Sequence, residues 1–263
     1  MKNAWMVRSG GGDYIELFET GILAIGFATP RDLSGMDRQG IREAYKANNP
    51  EVSGPKANGN VGVLYRFSRE IKIGDVVLTY DPGTRKYMVG EIISEYFFEE
   101  SDNGLPHRRK VTWCDKHLPR DDLKLTTRNS LGSTLTLFRI SDESWADIEA
   151  AHESKPIATI DEEPSDEEVG EESKRSLQEN ARERVKDKVV GLDDHEMEEL
   201  LAGLLRAMGF KATVSPVGPD RGVDVIASPD GLGLQEPRIK AEVKHRRNTT
   251  IGSQDLRSFI GAL

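Results

Sequence analysis

Residues 221–247, "RGVDVIASPDGLGLQEPRIKAEVKHRR", decide how the C-terminal part of this chain folds. The segments "GVDVIAS" and "RIKAEVKH" read as successive strands, yet each carries charge where a buried strand should have none. Asp224 interrupts Val223 and Val225, and Glu242 and Lys244 flank Val243. Strand side chains alternate, so Glu242 and Lys244 face the same way. If the two strands pair, Asp224 reaches that face and two carboxylates converge beside an ammonium. Carboxylates a few ångströms apart repel, and a hard cation such as Mg2+ relieves the repulsion with oxygen ligands. A lysine alongside orients or deprotonates a water, or stabilises charge on a phosphate. Metal, water and lysine are what phosphodiester hydrolysis requires. Asp–x(n)–Glu–x–Lys also arises by chance, and a same-face Glu/Lys pair is commonly a solvated sheet face. The setting favours a site: Ala241 and Val243 alternate with the charges in a strand expected between helices, where exposed charge is out of place.

Around this stretch the pattern is α/β. "DDHEMEELLAGLLRAMGF" spaces Met197, Leu200, Leu201, Leu204, Leu205 and Met208 as a helix, with Asp193 or Asp194 as N-cap and Gly209 as the stop. "KATVSP" adds a strand, and "GSQDLRSFIGAL" starts a helix capped by Ser253. Helix, three strands and helix make an α/β core.

Upstream, residues 151–190 read as an acidic linker and helix. Positions 161–172 are mostly carboxylates, with nothing to bury, and are expected to be disordered; residues 173–190 favour a helix. Residues 1–150 read mainly as short strands. "AWMVRSG" and "GILAIGF" are strands around a helix in "DYIELFET"; "RQGIREAYKANN" is a second helix, "PEVSGPKANGN" a loop and "VGVLYRF" a strand. "GDVVLTYDPGTRKYMVGEIISEYFF" is a hairpin about a Pro-Gly turn, and "RRKVTWCD" and "TLTLFRI" follow as strands. The expectation is a small β-barrel with flanking helices.

Composition bounds the partners. The chain has 263 residues, enough for two domains, with 37% hydrophobic and 31% charged residues. At a net charge of −9, nucleic acid would have to be bound by local basic patches. A single cysteine, Cys114, excludes an intramolecular disulfide, and no apolar run approaches the ~20 residues a membrane span needs, so the expected location is cytoplasmic. Cys114 and His117 lack the second pair a zinc site needs, and "RSGGGDY" lacks the Lys-Ser/Thr of a phosphate-binding loop.

The motifs "MEELLAGLLRAMGF", "DRGVDVIA", "AEVKHRR" and "SQDLRSFIGAL" together resemble the start of the catalytic domain of Mrr-type restriction endonucleases, in the PD-(D/E)xK nuclease superfamily. The resemblance covers residues 191–263 and implies an α/β nuclease core. It implies that Asp224 and Glu242 bind Mg2+ (or Mn2+), that Lys244 is the catalytic lysine, and that Glu198 lies near the metal. It further places Arg246, Arg247 and Gln254 against a DNA backbone. Domains of this kind continue with another strand and helix, so the core is expected to be partial, truncated at Leu263. Residues 1–150 resemble PUA-like domains of the EVE and YTH type, through the strand carrying Trp5, "IKIGDVVLTY" and "KYMVGEI". That resemblance implies selection of modified or flipped-out bases by aromatic side chains, with Trp5, Phe27, Tyr80 and Trp113 as pocket candidates beside Tyr65 and Tyr87. Arg8, Arg108, Arg109 and Lys110 are the candidate phosphate contacts there; filling the barrel core, or lying on solvated surface, is the alternative for each residue. The implied function is a Mg2+-dependent endonuclease restricting modified foreign DNA, possible as a homodimer because one such site cuts one strand. Two alternatives stay open: a non-catalytic nucleic-acid reader with an incomplete nuclease domain, and a nuclease whose N-terminal domain senses a small ligand.

Overall fold

The computed structural model describes residues 2–133, 135–153, 174–215, 223–246 and 251–262. The expected disordered tract at 161–172 lies outside the described residues. The chain divides into two compact units, Met1–Glu183 and Arg184–Leu263.

In the first unit the elements run β1 (Ala4–Val7), α1 (Ile15–Glu19), β2 (Ile22–Ile25), α2 (Arg38–Asn48), α3 (Gly54–Tyr65), a π-helical turn (Arg66–Glu70), β3 (Val76–Asp81) and β4 (Lys86–Ile92). They continue as β5 (Phe97–Phe98), β6 (His107–Trp113), β7 (Leu118–Pro119), a 3-10 turn (Arg120–Asp122), α4 (Leu125–Leu131), β8 (Leu137–Arg139) and α5 (Asp142–His152). The strands form one mixed sheet in the order β2-β6-β4-β3-β1-β8, with β5 beside β6 and β7 beside β4. The β1–β3 pairing is parallel and the others antiparallel.

This sheet curls as a half-barrel and stays open at β2 and β8, which corrects the expected small β-barrel. The reason lies in β1, whose four residues are all buried. Trp5 and Val7 join a cluster with Phe18, Ile41, Leu64 and Phe67 from the α1–α3 side. Ala4 and Met6 join a second cluster with Leu131 and Ile148 of α4 and α5. A sheet packed on both faces against helices buries its apolar side chains without closing on itself.

A second correction concerns residues 50–67. Most of the expected loop and strand is instead helical: α3 takes Gly54–Tyr65, with Pro55 in its first turn, and the π-helical turn takes Arg66 and Phe67. Ala57, Val61 and Leu64 stand at helical spacing and are buried in the first cluster. Packing of that stripe overrides the β preference of "VGVLYRF".

The second unit begins within α6 (Lys174–Val190), followed by α7 (Asp194–Ala207), β9 (Lys211–Val214), β10 (Val225–Ser228), β11 (Ile239–Ala241) and α8 (Ser253–Ala262). Asp193 caps α7 in a capping box with Glu196, and Gly209 follows with φ +95°, a left-handed conformation suited to glycine. The sheet order is β11-β10-β9, antiparallel throughout. Ala202 and Leu205 of α7 pack on Ala212, Val225 and Ala227. Ile226, which alternates with them, is 48% exposed. The expectation of helices on both faces is therefore corrected: an antiparallel hairpin needs no crossover helix and tolerates one wet face.

Candidate active site and nucleic-acid interface

The hairpin register places the three expected site residues at one end of β10 and β11. Val225 pairs with Ala241, so Asp224, one residue before β10, stands beside the chain that leaves β11. The Asp224 N–H donates to the Ala241 carbonyl at 2.9 Å, and its carbonyl accepts from the Ser215 N–H at 2.8 Å. Ser215 Oγ donates to the Val223 carbonyl at 2.6 Å. The Asp224 side chain is fixed as well, because Oδ2 accepts from the Val243 N–H at 2.5 Å. Beyond β11, Lys244 Nζ lies 2.7 Å from Glu242 Oε1, with side-chain exposures of 23% and 16%. Glu242 and Lys244 thus share a side, as strand alternation requires, although the ladder itself ends at Ala241.

Two contacts hold the segment that carries them. His245 Nε2 lies 3.1 Å from the Val190 carbonyl, facing packing rather than chemistry. Arg246 forms a fork on Asp255 of α8, at 3.1 and 3.3 Å. Asp255 also accepts from the Gly252 N–H at 3.1 Å. That backbone donor, then Arg246 and Lys244, hold its carboxyl below the usual carboxylate range.

The donor set suits a hard divalent cation. Asp224 and Glu242 are oxygen donors on adjacent segments, and Mg2+ is commonly bound by one or two carboxylates, completing its shell with water and phosphate oxygen. No group of three or more acids, histidines or cysteines apt for a metal occurs among the described residues. Glu198 is engaged by His195, whose Nδ1 is 3.3 Å from its Oε2. Gln254 is exposed on the first turn of α8. Arg247 lies outside the described residues.

In the first unit the structure spends most of the expected phosphate contacts elsewhere. Arg109 is fully buried, and its guanidinium donates to the carbonyls of Phe67, Ser94 and Ser68 at 2.8, 3.1 and 3.3 Å. A phosphate cannot reach it, which corrects that expectation. Alternation explains the position, since Arg109 lies on the inward face of β6 with His107 and Val111. Arg108 pairs with Glu99 at 3.0 Å. Arg8 donates to the Ser133 carbonyl and to Asn180. Lys110 is exposed.

The pocket candidates separate likewise. Trp5 is 4% exposed and donates its indole N–H to Asp75 at 2.9 Å. Trp113 donates to the Phe18 carbonyl at 2.6 Å, and Phe27 and Tyr65 pack on the same cluster. Tyr80 and Tyr87 belong to the cluster on the other face of the sheet, with ring centroids 4.9 Å apart. The Tyr80 hydroxyl donates to Glu183 at 2.5 Å; burial, then Glu183, pushes its pKa up. The six aromatics therefore do not converge on one cage.

Sequence reasoning passed over two features. Phe27 and Ala28 are consecutive left-handed residues, at φ 63° and 47°. Asn49 Nδ2 donates to both of their carbonyls at 3.3 Å, holding a turn that costs about 1–3 kcal/mol per residue. His107 is fully buried and lies 2.9 Å from the Tyr96 hydroxyl through Nδ1. That hydroxyl also accepts from the Leu33 N–H at 3.2 Å. Burial pushes the His107 pKa down to about 4. A histidine at a strand start carries no signal of this in one sequence.

Residues 189–263 match the family described as restriction endonuclease, and residues 8–141 match a family described as a domain of unknown function, DUF8426. No curated protein matches the chain. Among solved structures, a hypothetical protein from Leishmania major is similar at 13% identity, over 59% of this chain and 96% of that one, with a TM-score of 0.31. A likeness of that strength carries no argument. The restriction endonuclease match supports nuclease activity on DNA, and among the described residues no helix is long and apolar enough to cross a membrane. Because the match over residues 8–141 spans just over half of its length, the chain belongs to the DUF8426 family, and it carries a restriction endonuclease domain at 189–263.

Proposed function

We propose that this protein is a divalent-metal-dependent DNA endonuclease of a modification-dependent restriction system. In this reading residues 191–263 form a PD-(D/E)xK core, residues 151–190 are the connection, and residues 1–150 form a PUA-like domain that selects the DNA. The observation that carries it is that the Asp224 carboxylate accepts from the N–H of Val243, which lies between the paired Glu242 and Lys244, within the matched endonuclease segment.

Asp224 and Glu242 would hold Mg2+ or Mn2+. With Oδ2 taken by Val243, Asp224 would use Oδ1. When bound, such an ion polarises a phosphoryl oxygen and acidifies a water. The residues do the rest. The Val243 N–H fixes the Asp224 carboxylate, Glu242 keeps the Lys244 ammonium in place, and Lys244 stabilises the charge growing on the phosphate during attack. Arg246 and Gln254 lie near enough in sequence to meet the flanking backbone. A homodimer would give the two sites that a double-strand break needs.

The test is cleavage of a panel of methylated, hydroxymethylated and unmodified duplexes by the whole chain with Mg2+ or Mn2+. Cutting that depends on metal, on Lys244 and on modification supports the reading in full. Cutting of every duplex alike removes the modification reader and favours a sensor of another kind. Binding without any cutting favours a non-catalytic nucleic-acid reader.

A further inference from the structure

Of the cations expected to meet DNA in the N-terminal unit, Arg8, Arg108 and Arg109 are engaged, while other cations are not. α2 carries Arg38, Arg42 and Lys46 at spacings of four residues. Four residues of helix advance about 6 Å and turn about 40°, so the three cations form one shallow stripe along the helix. Arg38 and Lys46 are exposed and Arg42 is half-buried. Among the described residues none of the three makes an ion pair or a side-chain hydrogen bond. The acids of the same helix region are occupied otherwise: Asp37 accepts from the Gly40 N–H at 2.8 Å and Glu43 from Gln39 at 2.9 Å.

The stripe continues onto the neighbouring helix. The Asn60 amide of α3 donates to the Tyr45 hydroxyl of α2 at 2.8 Å, and the Arg38 guanidinium reaches within 3.9 Å of the place a side chain would take at Gly62. Asn58 and Gly59 are exposed on α3, with Lys56 before them and Arg66 and Arg69 on the turn that follows. The result is a cationic ridge beside small, neutral residues over which a polymer backbone can pass closely.

Such a ridge has a cost. Like charges at four-residue spacing destabilise a helix by about 0.2–0.5 kcal/mol per pair, and α2 has two such pairs with no compensating bridge. In a chain of net charge −9, three cations along one helix face with no ion pair among the described residues run against the overall charge. A row of cations about 6 Å apart fits a row of phosphates on a nucleic-acid strand, each neutralised by one arginine or lysine with release of its counterion.

We propose that α2, with Arg38, Arg42 and Lys46, is the surface on which the N-terminal unit holds the phosphate backbone of duplex DNA. This rests on the reading of the protein as a DNA-acting enzyme, and it replaces Arg109 with residues that solvent can reach.

The experiment measures anisotropy of a labelled duplex with the whole chain in EDTA, across a salt series. The triple variant Arg38→Gln, Arg42→Gln, Lys46→Gln is compared with Lys2→Gln, Lys86→Gln, Arg139→Gln, which changes the net charge equally on other faces. The α2 variant should lose about tenfold or more in affinity at moderate salt. Its slope of log affinity against log salt should fall by about 3, one unit for each lost phosphate contact. The control should shift far less in both. An unchanged slope in the α2 variant, an equal effect in the control, or no duplex binding by the unaltered chain overturns the proposal. Circular dichroism melts of both variants separate lost contacts from lost folding. Cleavage with Mg2+ is scored separately: a chain that cuts and keeps its full slope after the α2 changes loses this surface and keeps its nuclease reading.

Discussion

Val243 donates its backbone N–H to the Asp224 carboxylate, and the next residue, Lys244, holds its ammonium 2.7 Å from Glu242. The segment just beyond β11 thus serves both acids. Lys244→Ala should lower cleavage by about 10²-fold or more, the usual loss on removing a group that stabilises transition-state charge. Duplex affinity in EDTA should remain close to that of the unaltered chain. Cleavage rates and anisotropy on the same preparation read the two quantities; unchanged cleavage would remove Lys244 from the chemistry.

Asp224→Asn and Asp224→Ala separate metal binding from positioning. Asparagine keeps an oxygen for the Val243 N–H, so its stability should stay near that of the parent while cleavage falls. Alanine leaves a half-buried N–H unpaired and should cost a further ~1–3 kcal/mol. Denaturant midpoints beside rate measurements show whether the two substitutions part in this way.

Arg109 is a structural group, and its removal should unfold rather than unbind. Arg109→Met leaves the carbonyls of Phe67, Ser68 and Ser94 without their buried donor and should cost about 2–4 kcal/mol in the N-terminal unit. The salt dependence of duplex binding should not change in the fraction that remains folded. A fall in that slope by one unit would return Arg109 to the interface.

His107 makes stability depend on acidity. Its folded pKa is pushed down to about 4, against about 6.5 in an unfolded chain. Between those values the unfolded chain takes up a proton that the folded chain refuses. The stability present above pH 6.5 is therefore lost as pH falls towards 4, by up to about 3 kcal/mol. His107→Phe should flatten that part of the profile in urea titrations at pH 4–7. A mutant profile as steep as that of the parent would place the dependence elsewhere.

Capping predicts a local effect in the C-terminal unit. Asp193→Ala removes the side-chain acceptor for the Glu196 N–H at 2.8 Å, while the backbone N–H that donates to Glu196 in the capping box remains. The expected loss is about 1 kcal/mol, restored in part by Asp193→Ser. Thermal melts of the two variants decide it.

Much of this was legible along the chain because it is local. Period-two alternation gave the β3–β4 hairpin and the shared side of Glu242 and Lys244, and the apolar spacing of α7, with Asp193 before it and Gly209 after it, gave its limits. Residues 54–67 are helical although "VGVLYRF" has β-favouring side chains, because burial of Ala57, Val61 and Leu64 in the core cluster stabilises a helix. The pocket aromatics and Arg109 could not be sorted from sequence, since each could lie inside or outside, on either face.

The sequence by itself determined the charges at the hairpin end, because a strand's alternation and the order of Asp224, Glu242 and Lys244 need no distant partner. Tertiary structure alone decided that the sheet stays open between two helical layers, that Arg109 is sealed inside, and that Arg38, Arg42 and Lys46 of α2 make no ion pair among the described residues. Those outcomes depend on which long-range faces bury together, and burial of apolar area is set by neighbours that are far apart in the chain.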